Sequence, residues 1–182
     1  MRLKCAIRIL LGCHIVLITH FSSDSKAQVT SLAINYVIAS ERLHTAGQPS
    51  PTQLSTIADL GFDLVINLAP PSNSNAVTNE AQLVAETGLS YLNIPVNWEN
   101  PSYADFELFS GVLNQSGERK VLVHCILNYR ASIFTFLYRT IHENVPAAEA
   151  FKAVVEVWEP ERQWVEFGQM VLNRNQVDFK IP

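Results

Sequence analysis

Short apolar runs typical of β-strands alternate along this chain with longer helical segments. The runs cover residues 32–40, 64–68, 91–96 and 121–123. Helical patterns cover residues 51–60, 79–87, 104–113, 132–142, 147–158 and 161–172. Strands that alternate with helices pair in parallel through helical crossovers, and the helices cover both faces of the sheet. The sequence therefore predicts an α/β fold with a mainly parallel central sheet flanked by helices.

The first 27 residues have the organisation of a secretory signal peptide. Basic residues come first, an apolar stretch follows over residues 9–18, and small Ser25 and Ala27 precede a cleavage point before Gln28. The apolar stretch is short for a bilayer span; an uncleaved anchor or lipidation at Cys13 are the alternatives. We expect residues 1–27 to be a signal peptide and residues 28–182 to form one domain. That domain would be periplasmic or secreted, with no stable membrane insertion after cleavage.

The net charge and the cysteine content limit the partners and the thiol chemistry that we expect. The net charge is −4, and Lys and Arg form no cluster, so a nucleic-acid partner is not expected. Cleavage after residue 27 would remove Cys5 and Cys13 and leave Cys125 as the sole thiol. The mature chain would then form no internal disulfide, and any thiol chemistry would belong to Cys125.

The residues around Cys125 indicate why that thiol is a candidate nucleophile. The order is an apolar strand, His124-Cys125, a short loop, Arg130 and then a helix. A helix N-terminus presents free N–H groups and a partial positive charge, which together form an anion site. Such a field beside an Arg lowers a cysteine pKa from about 8.5 to about 3.5–7.5, and the planar guanidinium binds two oxygens of a tetrahedral oxyanion.

This arrangement resembles the active-site loop of cysteine-dependent protein tyrosine and dual-specificity phosphatases. It is similar above all to a bacterial subgroup related to the beta-lactamase-hydrolase-like phosphatase domain, with a Cys-x4-Arg loop. The resemblance extends over residues 35–170 and includes residues 45–50, 61–68, 94–96, 124–132 and 157–160. It implies a dual-specificity-phosphatase-like fold over residues 28–182 that needs no cofactor. His44 and His142 lack metal-ligand spacing, so no metal is expected either.

The resemblance also implies a role for each matching residue. Cys125 would attack phosphorus and form a thiophosphate intermediate, while Arg130 and the loop amides would bind the phosphoryl oxygens. His124 would hold the cysteine and the loop by hydrogen bonding, and Ser132 would be a further supporting residue. The phosphate-binding set is Ile126, Leu127, Asn128, Tyr129, Arg130 and Ala131. The expected partner is a phosphorylated small molecule or a phosphoprotein.

The loop departs from the tyrosine-phosphatase pattern in three respects. Four residues separate Cys125 from Arg130 instead of five, no glycine lies between them, and Ala131 stands where a Ser or Thr usually follows the Arg. The hydroxyl comes one residue later, at Ser132. Spacing of four occurs in the subgroup that this chain resembles.

The general acid also departs from the pattern. Related phosphatases carry an Asp on a loop upstream of the cysteine, and the corresponding residues 97–102 contain none. Glu99, 26 residues before Cys125, has the best spacing for this role. Asp105 is the second candidate, although a carboxylate in a first helical turn is favoured by the helix dipole alone. The third possibility is that no protein acid takes part.

Two other functions remain open at this point. Rhodanese-like sulfurtransferases also carry a six-residue loop that includes the cysteine, and Cys125 to Arg130 spans six residues. A binding module with weak catalysis, which captures phosphate or sulfate groups, would fit the altered loop and the missing Asp. The matching stretches outside the loop favour a phosphatase.

Overall fold

The computed structural model describes residues 32–182, so the predicted signal peptide lies outside the described residues. The strands are β1 Val37–Ile38, β2 Leu43–Ala46, β3 Leu64–Asn67, β4 Ser90–Asn93 and β5 Val121–His124. The helices are α1 Pro51–Leu54, α2 Glu80–Glu86, α3 Tyr103–Gln115, α4 Tyr129–Ile141, α5 Ala147–Ala150, α6 Lys152–Val155 and α7 Arg162–Arg174. Within this range no helix combines the length and apolarity needed to cross a membrane.

The five strands form one sheet in the order β1-β2-β5-β3-β4. Strand β5 lies at its centre and pairs in parallel with β2 and β3, while β1 is antiparallel to β2. Ala46 and Asn67 flank His124 in the register of the central strands. Ligands of parallel sheets bind beyond the carboxyl ends of the strands, and β5 delivers its end directly to Cys125.

Alternation along the strands divides the core between the two faces of the sheet. Val121 and Val123 point towards a large core shared with α3, α4 and α7. Leu122 points to the opposite face, where a smaller core includes Leu54 of α1 and Val84 of α2. Because successive side chains of a strand face opposite ways, His124 lies on the α1–α2 side.

The predicted α/β architecture is confirmed, and most elements begin or end within three residues of the predicted bounds. The predicted helix over residues 51–60 consists of α1 and a 3-10 helix at Ile57–Leu60, with the expected capping box between Ser50 and Gln53. The predicted helix over residues 147–158 is interrupted at Phe151 and forms the single turns α5 and α6.

The prediction of one strand over residues 32–40 was wrong. Only Val37–Ile38 is extended in a ladder, and an unpredicted strand, β2, follows it. In β2 the polar residues His44 and Thr45 are buried. The Tyr36 hydroxyl contacts His44 Nδ1 at 2.5 Å, and Asn128 Nδ2 donates to Thr45 Oγ1 at 2.9 Å. These distant partners satisfy the hydrogen-bonding groups of His44 and Thr45. The strand is therefore buried without the apolar pattern from which a buried strand is predicted.

Candidate active site

Cys125 lines a cavity at the carboxyl end of β5. The cavity has a volume of about 320 Å³. Its lining residues are Asn73, Asn75, Trp98, Cys125, Ile126, Leu127, Tyr129 and Arg130. Cys125 is 1% exposed, so only a ligand that enters this cavity reaches its thiol.

Asn128 supplies the sharp turn that a glycine-free loop requires. Its φ is 70°, in the left-handed region, and it directly precedes the first residue of α4. Among residues other than glycine, Asn and Asp adopt this conformation most readily. The Asn128 side chain points away from the cavity, since Nδ2 donates to the Asn35 carbonyl at 2.5 Å and to Thr45 Oγ1 at 2.9 Å. The turn is thus fixed by the backbone before β1 and by β2.

The carbonyl groups of the loop are bound outside the cavity. The Gln48 N–H donates to the Ile126 carbonyl at 3.0 Å, and Asn35 Nδ2 donates to the Leu127 carbonyl at 3.0 Å. Gly47 and Leu127 also form an isolated antiparallel bridge. Carbonyls held on the outer side leave the cavity side of the loop to N–H groups, and the first turn of α4 adds N–H groups that have no helical acceptor. This arrangement suits an anion.

Arg130 brings a cation to the same cavity. Its Nε donates to the Val96 carbonyl at 3.0 Å, and its guanidinium carbon lies 5.0 Å from the centre of the Trp98 ring. Burial lowers the pKa of Arg130, while electrostatic attraction to Cys125 and a hydrogen bond to it act in the opposite direction. An Arg remains protonated in such a setting. A thiol and a fixed guanidinium therefore face one small cavity.

His124 supports the nucleophile from the opposite face of the sheet. The residue is fully buried. Its Nδ1 lies 3.3 Å from the Cys125 carbonyl oxygen, and its Nε2 lies 3.0 Å from Oε1 of Glu80, a buried residue at the start of α2. The ring thus connects the backbone of the nucleophile to a carboxylate.

The two residues that follow Arg130 lie outside the cavity. Ala131 is fully buried in the larger core. Ser132 Oγ donates to the Tyr129 carbonyl at 3.0 Å and accepts from Trp158 Nε1 at 3.2 Å. The Tyr129 and Trp158 rings stack at 4.4 Å with an interplanar angle of 4°. Ser132 therefore ties the first turn of α4 to the aromatic wall of the site.

The structure brings neither acid candidate into the cavity. Glu99 is exposed, and its backbone N–H donates to Asn97 Oδ1. Asp105 Oδ2 accepts from the N–H and from the hydroxyl of Ser102, at 3.0 and 2.7 Å, and completes the N-terminal cap of α3. Among residues 32–182, no Asp or Glu lines the cavity. The catalytic role of Glu99 stays a prediction.

Sequence reasoning did not single out Asn73, Asn75 or Glu80. The two asparagines lie in the segment after β3 and line the cavity. Their position beyond the carboxyl end of a parallel strand is the signal that could have identified them. Glu80 carried no such signal, because a Glu at the start of a helix is favoured by the helix dipole alone.

Comparison with known proteins identifies similar structures. Neither protein-family models nor curated proteins match the sequence. A candidate phosphatase (DUF442) from Shewanella putrefaciens CN-32 is 32% identical, with a TM-score of 0.71, and the match covers 78% of this chain and 93% of that one. A mutant form of Tk-PTP is 17% identical with a TM-score of 0.66, and 78% and 96% of the two chains are covered.

A third match has the same fold. PTPMT1 in complex with PI(5)P is 15% identical with a TM-score of 0.65, and the match covers 78% of this chain and 96% of that one. The Tk-PTP and PTPMT1 matches confirm the predicted dual-specificity-phosphatase-like fold.

Proposed function

The chain belongs to the DUF442 phosphatase family, and from this premise we propose that it is a secreted or periplasmic cysteine-dependent phosphatase that hydrolyses a phosphomonoester through a thiophosphate intermediate. One observation carries the proposal. The Cys125 thiol and the Arg130 guanidinium share a small cavity at the N-terminus of α4. That combination activates a thiolate and binds an oxyanion at the same point.

The reaction would proceed in two displacements. The Cys125 thiolate attacks phosphorus, an S–P bond forms, and the P–O bond to the leaving group breaks while Arg130 and the loop amides bind the other phosphoryl oxygens. The leaving oxygen takes a proton, from Glu99 if that residue reaches it and otherwise from water. Water then attacks phosphorus and gives up a proton, to Glu99 if that residue served as the acid and otherwise to solvent. The S–P bond breaks, and inorganic phosphate leaves with Cys125 again a thiolate.

Hydrolysis of an aryl phosphate tests this proposal. We expect the wild type to release phosphate and both Cys125→Ser and Arg130→Met to lose that activity, because they remove the nucleophile and the oxyanion ligand. A phosphorylated cysteine peptide, trapped by acid quench and detected by mass spectrometry, would report the intermediate. Wild type without turnover but with phosphate binding would contradict the proposal and favour a binding module. On a substrate with a poor leaving group, an unchanged rate in Glu99→Gln would eliminate Glu99 as the acid.

The proposed location rests on residues 1–27. Their basic start, apolar stretch and small residues are typical of a signal peptide. We expect the secreted or periplasmic fraction to contain a protein whose N-terminal residue is Gln28. An intact Met1 or a cytoplasmic location would contradict it.

Sulfur transfer is a second candidate, favoured because no Asp or Glu of the described residues 32–182 lines the cavity. In that reaction the Cys125 thiolate takes the outer sulfur of thiosulfate, a persulfide forms, and sulfite leaves with the electrons of the broken S–S bond. Sulfite leaves as an anion and needs no proton, whereas an alkoxide does. Thiosulfate:cyanide transfer by the wild type, lost in Cys125→Ser, would support this reaction. No thiocyanate above the rate of Cys125→Ser would refute it.

A further inference from the structure

Glu80 is a buried carboxylate whose two oxygens have four polar neighbours. The residue is 3% exposed. Oε1 accepts from Gln48 Nε2 at 2.9 Å and lies 3.0 Å from His124 Nε2. Oε2 accepts from Asn67 Nδ2 at 2.7 Å and from the Tyr91 hydroxyl at 3.2 Å. A carboxylate is rarely buried without such compensation. The position of this one, in contact with the residue before the nucleophile, therefore requires an explanation.

The neighbours of Glu80 come from four parallel strands or the residues directly after them. Asn67 and His124 are the last residues of β3 and β5, Tyr91 lies in β4, and Gln48 follows β2. Burial raises the pKa of Glu80, but the hydrogen bonds from His124, Gln48 and Asn67 and the attraction to His124 outweigh it and lower the pKa overall. Glu80 is therefore an anion at neutral pH, held at the level where the sheet meets the active-site loop.

Glu80 holds the His124 ring in one orientation. Oε1 of Glu80 lies 3.0 Å from His124 Nε2, and Nδ1 of the same ring lies 3.3 Å from the Cys125 carbonyl oxygen. The ring is fully buried, so water does not compete for either nitrogen. The His124 ring therefore connects the carboxylate to the backbone of the nucleophile.

The His124 contact also orients the first amide of the loop. In a trans peptide the C=O and the following N–H point in opposite directions. Because the Cys125 carbonyl points to His124, the N–H of Ile126 points away from that ring. Ile126 lines the cavity, so its amide is available to an oxyanion there.

We infer that Glu80 is a positioning residue for Cys125: it holds the His124 ring against the Cys125 carbonyl, which directs the first loop amide at the oxyanion. This inference rests on the proposed cysteine-dependent chemistry. Among residues 32–182, the titratable groups that face Glu80 are His124 of β5 and Tyr91 of β4. Arg130 of α4 faces Cys125. Burial and the charge of Glu80 raise the pKa of Tyr91, so Tyr91 stays neutral and supplies no compensating charge.

Two variants separate the charge of Glu80 from its hydrogen bonds. Glu80→Gln removes the charge with little change of shape, whereas the matched control Tyr91→Phe removes one neutral hydrogen bond to the same carboxylate. The first readout is the Kd of tungstate, a tetrahedral oxyanion that is not turned over. The second is kcat/KM for an aryl phosphate.

We expect Glu80→Gln to weaken tungstate binding roughly tenfold and to lower kcat/KM by a similar factor, because a misdirected loop amide loses its hydrogen bond to the oxyanion. Tyr91→Phe should leave both values unchanged, and Glu80→Asp should restore most of the loss. A folded Glu80→Gln with the wild-type Kd for tungstate overturns the inference.

Measurement on the wild type guards against a variant that does not fold. The ¹H–¹⁵N resonance of the Ile126 amide should shift when tungstate binds, and an unmoved resonance would overturn the inference. Failure of the proposed function would be distinguishable, because wild type would then show no phosphate release while tungstate binding and the Ile126 amide still report on Glu80.

Discussion

Gly47 is the position where a single methyl group should displace the active-site loop. A Cβ at this residue would lie 2.2 Å from Ile34 Cγ2, 2.7 Å from the Ile126 carbonyl oxygen and 3.0 Å from the Ile34 carbonyl oxygen. Ile34 is 54% exposed, so its side chain is free to rotate away. The two carbonyls are less free, because they accept from the N–H groups of Gln48 and Gly47 at 3.0 and 2.7 Å.

The size of the effect of Gly47→Ala follows from these distances. Ordinary contact begins at 3.4 Å, so the Ile126 carbonyl must move by about 0.7 Å. Overpacking of this kind costs about 1–3 kcal/mol of unfolding free energy, which lowers Tm by about 2–12 °C for a domain of this size. The displaced carbonyl belongs to the residue after the nucleophile. Since a misplacement of about 1 Å at reacting groups costs about 100-fold, we expect kcat/KM to fall by roughly 10- to 100-fold.

Gly111→Ala provides the matched control. Gly111 lies inside α3, and a Cβ there would meet nothing within 4 Å. Ala in a helix interior is more stable than Gly by about 0.5–1 kcal/mol, so Tm should rise and turnover should not change. Thermal unfolding and aryl phosphate kinetics on both variants complete the comparison. Wild-type kcat/KM in Gly47→Ala would refute the reasoning, whether or not Tm falls, because the loop would then tolerate the displacement.

Two further predictions concern the turn before α4 and a buried histidine. Asn128→Gly keeps the left-handed backbone but loses the bonds to Asn35 and Thr45, so urea unfolding should show a loss of about 1–3 kcal/mol. Asn128→Ala should lose about 1 kcal/mol more, because its Cβ is strained at a φ of 70°; an Ala variant as stable as the Gly variant would contradict this account. Burial, and then the charge of Lys120, lower the pKa of His44 from 6.5 to about 4. As pH falls from 6.5 towards 4 the unfolded chain takes up the proton first, so this contribution to stability, present above pH 6.5, is progressively lost. His44→Asn should reduce the loss of unfolding free energy between pH 7 and 4.5, measured by urea unfolding, by about 1 kcal/mol; equal losses in both proteins would contradict the assignment.

Local signals were sufficient where a single segment carries both the structure and the chemistry. The apolar run over residues 121–123 is followed at once by Cys125, Arg130 and a helix. Each part of that order has a local physical reason, and the structure has β5 at Val121–His124 and α4 at Tyr129–Ile141. The resemblance to phosphatases included this segment.

Local signals failed where burial depends on distant partners. Strand β2 contains the polar residues His44 and Thr45. Their burial is possible because Tyr36 and Asn128 form hydrogen bonds with their side chains. The same holds for Glu80, whose neighbours span residues 48–124 of the sequence. A local sequence pattern cannot predict these contacts, because they join residues that only the topology of the sheet brings together.

The central position of β5 determines how often the strand before Cys125 opens to solvent. Both edges of this strand are paired, and its four residues are buried. Amide hydrogens in such a strand exchange with solvent only when most of the domain opens, whereas short exposed elements exchange through local fluctuations. Deuterium should therefore enter Val121–His124 at the rate of global unfolding and enter α6, whose Val155 is 59% exposed, much sooner. The slowest-exchanging amides of the protein would be those directly before Cys125.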